Sequence, residues 1–144
     1  MLSNTSKYAV RAIMYLALNK DKNHMIGIKQ ISTDLNIPAP FLSKILQLLA
    51  KQKFLISSKG PNGGFSLGRD PGKISIMDIL KAIDGMDVFK RCVMGMKYCS
   101  EQNNPCVLHS YYSSFRDDIK AKFEEVTFAK IVDEIKQGRQ ELYI

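Results

Sequence analysis

Two short strand-like pieces, Phe54-Leu-Ile-Ser-Ser-Lys59 and Phe65-Ser-Leu-Gly68, flank the run Gly60-Pro-Asn-Gly-Gly64. A glycine-rich turn between two such pieces is a hairpin signal. Every other periodic segment of the chain reads as helix. The expected fold class is therefore mainly α with one small β-hairpin, and what matters is where that hairpin falls among the helices.

Ahead of it, Tyr8, Ala9, Ala12, Ile13, Leu16 and Ala17 recur at helical spacing and predict a helix over residues 5–19. Asn19-Lys-Asp-Lys-Asn23 is a polar connector. Ile28, Ile31 and Leu35 mark a short second helix, with Asn36 as its left-handed stop. A third helix starts around Pro38–Pro40, where proline is tolerated because first-turn N–H groups have no intrahelical acceptor, and runs to Gln52. Its inward stripe reads as Phe41, Leu42, Ile45, Leu48 and Leu49. Two short helices joined by a tight turn make a helix-turn-helix, and a hairpin directly after it completes a winged helix-turn-helix.

In such a plan the outward face of the third helix carries Ser43, Lys44, Gln47 and Lys51, which can hydrogen-bond base edges and phosphates. Ser43, Lys44 and Gln47 are candidates for the major groove of double-stranded DNA. At the hairpin, Lys59, Gly60 and Pro61 are candidates for the minor groove and the backbone. Gly60, Gly63 and Gly64 remove the Cβ atoms that would keep phosphates away, and they also suit an ordinary tight turn. Lys29, near the start of the second helix, is a candidate phosphate contact. Charge agrees: residues 28–73 hold seven Lys and Arg against two Asp and Glu, whereas residues 74–109 are neutral and residues 110–144 carry −1. A basic front half on a neutral body suits a polyanion.

Ser75-Ile-Met-Asp78 is a capping-box variant opening a helix to about Ile83. Residues 87–107 show no sustained period. Leu108, Tyr112, Phe115, Ile119, Phe123 and Val126 then form one apolar stripe on a long helix, and Thr127 caps a final short helix over residues 128–135. A long amphipathic helix beside a winged domain that covers its own core needs another surface, so a homodimer reading a pseudo-palindromic operator is expected. The expected division is a DNA-binding domain at residues 1–88, a cysteine loop at 89–107 and a dimerisation helix with the C-terminal helix at 108–144.

Spanning that loop and the first residues of the next helix lies Cys92-x6-Cys99-x6-Cys106-x2-His109, which contains every cysteine of the chain. No apolar run approaches the roughly 18 residues of a membrane span, and the first residues lack an apolar signal region. A reducing, cytoplasmic location is expected, where clustered thiols serve as ligands or redox groups rather than as a disulfide framework. Three cysteines and a histidine suit an iron–sulfur cluster, structural zinc or a thiol switch. Zinc knuckles bring closer ligand pairs than most of these, and the longer loops suit a cluster better. Met94 and Met96 read as apolar cover over the loop, and His24 as a solvent-exposed residue. With no HExxH, no carboxylate beside the ligands and no glycine-rich nucleotide loop, an enzyme is not expected.

Ser6-Lys-Tyr-Ala-Val10, Ile37-Pro-x-x-Phe-Leu-x-Lys-Ile45, Lys59-Gly-Pro-Asn-Gly-Gly-Phe-Ser-Leu67 and the Cys3His set together resemble the bacterial Rrf-type (IscR/NsrR-like) winged-helix transcription regulators. The resemblance covers nearly the whole chain. It implies a homodimeric DNA-binding regulator joined through the long helix, with an iron–sulfur cluster on the cysteine loop whose state alters DNA affinity. Carried over by position, Cys92, Cys99 and Cys106 match the cluster cysteines and His109 the fourth ligand. Some members take a carboxylate from the partner's N-terminal helix instead. Residues 1–20 contain neither Asp nor Glu, which favours His109 and a 2Fe–2S over a 4Fe–4S cluster. Ser43 and Lys59 stand where the resemblance implies a glutamate and an arginine.

Overall fold

The computed structural model describes residues 2–20, 24–90, 92, 94 and 105–138. Among them run α1 (Asn4–Leu18), α2 (Ile28–Leu35), α3 (Ala39–Lys51), the hairpin strands β1 (Leu55–Ser58) and β2 (Gly64–Leu67), α4 (Ile76–Asp84), α5 (His109–Glu125) and α6 (Phe128–Lys136). Single 3-10 turns at Pro71–Lys73 and Met86–Phe89 had no periodic signal. The mainly α winged-helix expectation holds.

α1 is the central post. Ser3 caps it, its Oγ accepting from the Ser6 N–H at 3.0 Å. The buried face of α1 includes Ala9, Ala12, Ile13, Leu16 and Ala17, and α1 packs against α2, α3, α4 and α6. Ile13, Ile31, Leu35, Leu42, Leu46, Leu49, Ile79 and Phe128 are fully buried in one core. Tyr15 closes its rim by donating to the Asp34 carboxylate. Burial, then the hydrogen bond to Asp34 and its negative charge, push the Tyr15 hydroxyl up to about 12.

α3 faces inward differently from the sequence reading. Leu42, Ile45, Leu46 and Leu49 are buried, whereas Phe41 is 61% exposed and Leu48 is 37% exposed. The spacing 42, 45, 46, 49 is the one a helix can bury on a single face. Phe41 lies about 100° off Leu42 and falls outside it.

α4 opens on the expected capping box: the Ser75 hydroxyl accepts from the Asp78 N–H at 3.1 Å, and the Asp78 carboxylate accepts from the Ser75 N–H at 2.9 Å. Its last residue, Asp84, stands at the negative end of a helix, an unfavourable place for a carboxylate. Two hydroxyls offset this: Ser3 Oγ and Ser6 Oγ donate to Asp84 at 2.8 and 2.7 Å. The start of α1 is thereby tied to the end of α4, directly ahead of the segment leading to Cys92.

The apolar stripe of α5 is shared between two surroundings. Ile119 and Phe123 pack on Met77, Leu80 and Phe89, with the Phe89 and Phe123 rings edge to face at 6.4 Å. Toward the start of α5, Leu108 and Phe115 are exposed, joined by Val107 and Tyr111. α6 returns to the main core through Phe128 and Val132. Its entry is held by two backbone bonds, Ile76 N–H to Val126 O at 3.1 Å and Phe128 N–H to Ile74 O at 3.0 Å.

Candidate functional site

Helix α3 and the hairpin both carry exposed polar side chains. Lys44 and Gln47 are exposed on α3 and Ser43 is half-buried beside them. Gln47 Nε2 donates to Ser43 Oγ at 3.1 Å, which orients the amide along the outward face. Lys29, Lys59, Gly60 and Pro61 are all exposed. Lys29, Gly60 and Pro61 line one open cleft of about 510 Å³ between the start of α2 and the hairpin. The N-cap of α2 is Gly27, which offers no side-chain cap, and Gly27, Ile28 and Lys29 at the start of α2 line that cleft. A helix N-terminus, lysine and backbone without Cβ atoms together suit a phosphate.

The hairpin is held in place at two points. Its strands pair antiparallel, Leu55 with Leu67 through Ser58 with Gly64. Ile26 then pairs with Phe65, the Ile26 N–H donating to Phe65 O at 3.0 Å and the Phe65 N–H to Ile26 O at 2.9 Å. Gly64 makes this approach possible: its φ is +147°, and a Cβ there would lie 2.4 Å from Ile26 O. At the other end Arg69 donates to Gln52 O at 2.8 Å and to Lys53 O at 3.1 Å, and stacks on the Phe54 ring at 4.2 Å. The sequence carried no local signal for this bridge, because its partners are 15 to 17 positions away.

Gly64→Ala is expected to lower stability by about 2–3 kcal/mol and to weaken DNA binding, through backbone strain and loss of the Ile26–Phe65 pairing. Chemical denaturation checks the first effect, and hydrogen exchange at the Ile26 and Phe65 amides checks its location.

At the opposite end of α4, Cys92 Sγ stands 3.3 Å from Cys106 Sγ, bringing together two cysteines fourteen residues apart. Cys92 is buried and Cys106 half-buried. His109 is buried as the first residue of α5, its N–H donating to Cys106 O at 2.9 Å. Cys99 and Met96 lie outside the described residues; Met94 is exposed. Among the described residues no group of three or more His, Cys, Asp or Glu converges on one point. Two thiolates about 2.3 Å from one tetrahedral ion would stand about 3.8 Å apart, so the pair is about half an ångström closer than a shared soft ion would hold it. A disulfide requires about 2.05 Å, so the pair is not bonded.

Residues 2–134 match the Rrf2 family, described as an iron-dependent transcriptional regulator. A protein of Aquifex aeolicus assigned as an HTH-type transcriptional regulator is 34% identical over 134 residues, covering 92% of each chain. The regulator IscR of Cronobacter sakazakii is 26% identical over 132 residues, covering 92% of this chain and 80% of that one. Among solved structures, CymR, the global cysteine regulator of B. subtilis, superposes with a TM-score of 0.76 at 18% identity, over 92% of this chain and 96% of that one. T. potens IscR superposes at 0.75 and 21% identity, over 97% and 91%.

Proposed function

The chain belongs to the Rrf2 family of transcriptional regulators, and from that premise we propose that an iron–sulfur cluster held by Cys92, Cys99, Cys106 and His109 governs its operator binding. The protein is a DNA-binding regulator and not an enzyme. Lys29, Ser43, Lys44, Gln47, Lys59, Gly60 and Pro61 supply the DNA contacts. Residues 1–88 read DNA, residues 89–107 sense, and residues 108–144 join a second copy through the exposed Leu108, just ahead of α5, and Tyr111 and Phe115 on it. The working location is the cytoplasm.

The observation that carries the sensing role is the 3.3 Å approach of Cys92 and Cys106, with His109 fixed to the Cys106 carbonyl. A bound iron–sulfur cluster supplies a thiolate-held iron centre whose potential a histidine ligand raises. The rest follows from the chain itself. Cys92 lies three residues beyond the Met86–Phe89 turn that continues from α4, and His109 opens α5. Holding these two ends together fixes the path from α4 to α5. In a dimer joined through α5, that path sets the separation of the two α3 helices, which must match half-sites about 34 Å or a multiple apart.

The same sulfur contact favours a second reading, a thiol switch on the same DNA-binding fold, because closing to about 2.05 Å needs a movement of little more than an ångström. Anaerobic purification followed by visible absorption, iron, sulfide and zinc analysis separates the readings. A coloured protein with iron and sulfide in equal amounts is expected, 2Fe–2S in its spectrum. A colourless, zinc-loaded protein overturns the cluster. A metal-free protein whose DNA affinity changes on mild oxidation and recovers with dithiol establishes the thiol switch.

A further inference from the structure

Phe41 is the largest apolar side chain exposed on α3, and it lies in the first turn of that helix. It sits about 60° around the helix from Lys44 and shares a flank with Leu48, seven residues on. Lys44, Gln47 and Lys51 define the adjoining polar face, so Phe41 borders a surface built for an anionic partner while contributing no charge or hydrogen bond to it. The N-terminal residues of a recognition helix are those that reach base edges. In the major groove the apolar feature an aromatic ring can cover is the C5-methyl group of thymine.

We infer that Phe41 is a specificity-determining residue that packs on a thymine methyl group in each half-site. The inference rests on the DNA-reading role given above to α3. It explains why an exposed phenylalanine borders the polar face of Lys44, Gln47 and Lys51. Ser43 and Gln47, already bonded to each other, supply hydrogen bonds to other base edges. Phe41 adds a contact that depends on one methyl group.

Deoxyuridine differs from thymidine by that methyl alone, which gives a direct test. Duplexes bound by the full-length, anaerobically purified protein are enriched from a random library. Each thymine of the enriched site is then replaced by uracil, one at a time, and binding is measured for wild type, Phe41→Ala and Phe41→Leu. In wild type, uracil at one position per half-site is expected to weaken binding about fourfold, and roughly fifteenfold when both half-sites are changed, as burial of a single methyl implies. Phe41→Ala should bind the thymine and uracil duplexes equally, while Phe41→Leu, which keeps an apolar side chain, retains part of the discrimination.

If Phe41→Ala responds to uracil as wild type does at every position, the inference is overturned. It is equally overturned if wild type ignores uracil throughout. Failure of wild type to enrich any sequence instead overturns the operator reading itself, so the two failures are distinct. Unchanged thermal unfolding of the variants, expected for so exposed a side chain, shows that loss of discrimination is not loss of fold.

Discussion

A Cys106→Ser variant purified anaerobically beside wild type is expected to be colourless and to hold no stoichiometric iron. A serine hydroxyl is not a soft thiolate, and iron–sulfur clusters are held by thiolates with limited histidine replacement. Cys106 is the better position for this experiment than Cys92. It is only half-buried, so an oxygen there costs little in packing, whereas the buried Cys92 would leave a new hydroxyl in an apolar place. Thermal unfolding of the variant should match that of iron-free wild type. Its operator affinity should also equal that of iron-free wild type, and adding iron and sulfide should change neither. Full colour in Cys106→Ser removes Cys106 from the ligand set. Unaltered colour together with loss of an oxidation response assigns Cys106 to a thiol switch alone.

Phe128→Ala is expected to destabilise the fold by about 4 kcal/mol, as large-to-small changes at fully buried aromatics do. For a chain of this size that lowers the melting temperature by roughly 8–16 °C. The residue lies far along the sequence from the helix-turn-helix, yet its ring sits in the same core as Ile13, Ile31 and Leu46. DNA binding should fall in step with the fraction folded and recover at lower temperature. Differential scanning calorimetry gives the stability change, and a melting temperature within about 2 °C of wild type would show that α6 is an appendage to the core rather than part of it.

The helix-turn-helix and the hairpin were legible because their signals are local: helical periodicity in α1 and α2, glycines between two strand pieces, a capping box at Ser75. The phase of α3 was harder to read. Apolar residues occupy 41, 42, 45, 46, 48 and 49, an arc of about 160° that is wider than the buried stripe, and the polar set Lys44, Gln47 and Lys51 marks the outside. Reading the phase from those three would have placed Phe41 and Leu48 outward and Leu46 inward. The Ser3, Ser6 and Asp84 cluster had no local signal, since its members are about 80 residues apart and serines near a helix start usually read as caps. The candidate sensor residues were legible as a spacing of soft ligands. The closeness of Cys92 to Cys106 was not, because it depends on how α4 and α5 bring the two ends of the segment together.

Arg69 joins the end of α3 to the end of the hairpin by two carbonyl bonds and a ring contact, while Ile26 pins the other side of the same hairpin. With both edges fastened, the hairpin resists tilting on its own, and α3 and the hairpin form one stiff calliper jaw. Under the proposed function, a signal arriving from the far end of α4 would then have only whole-jaw movements available to it. It can change the gap between two jaws, but not the grip within one. Regulation of the proposed kind would act on the distance between half-sites and leave the bases recognised in each half-site the same in both states.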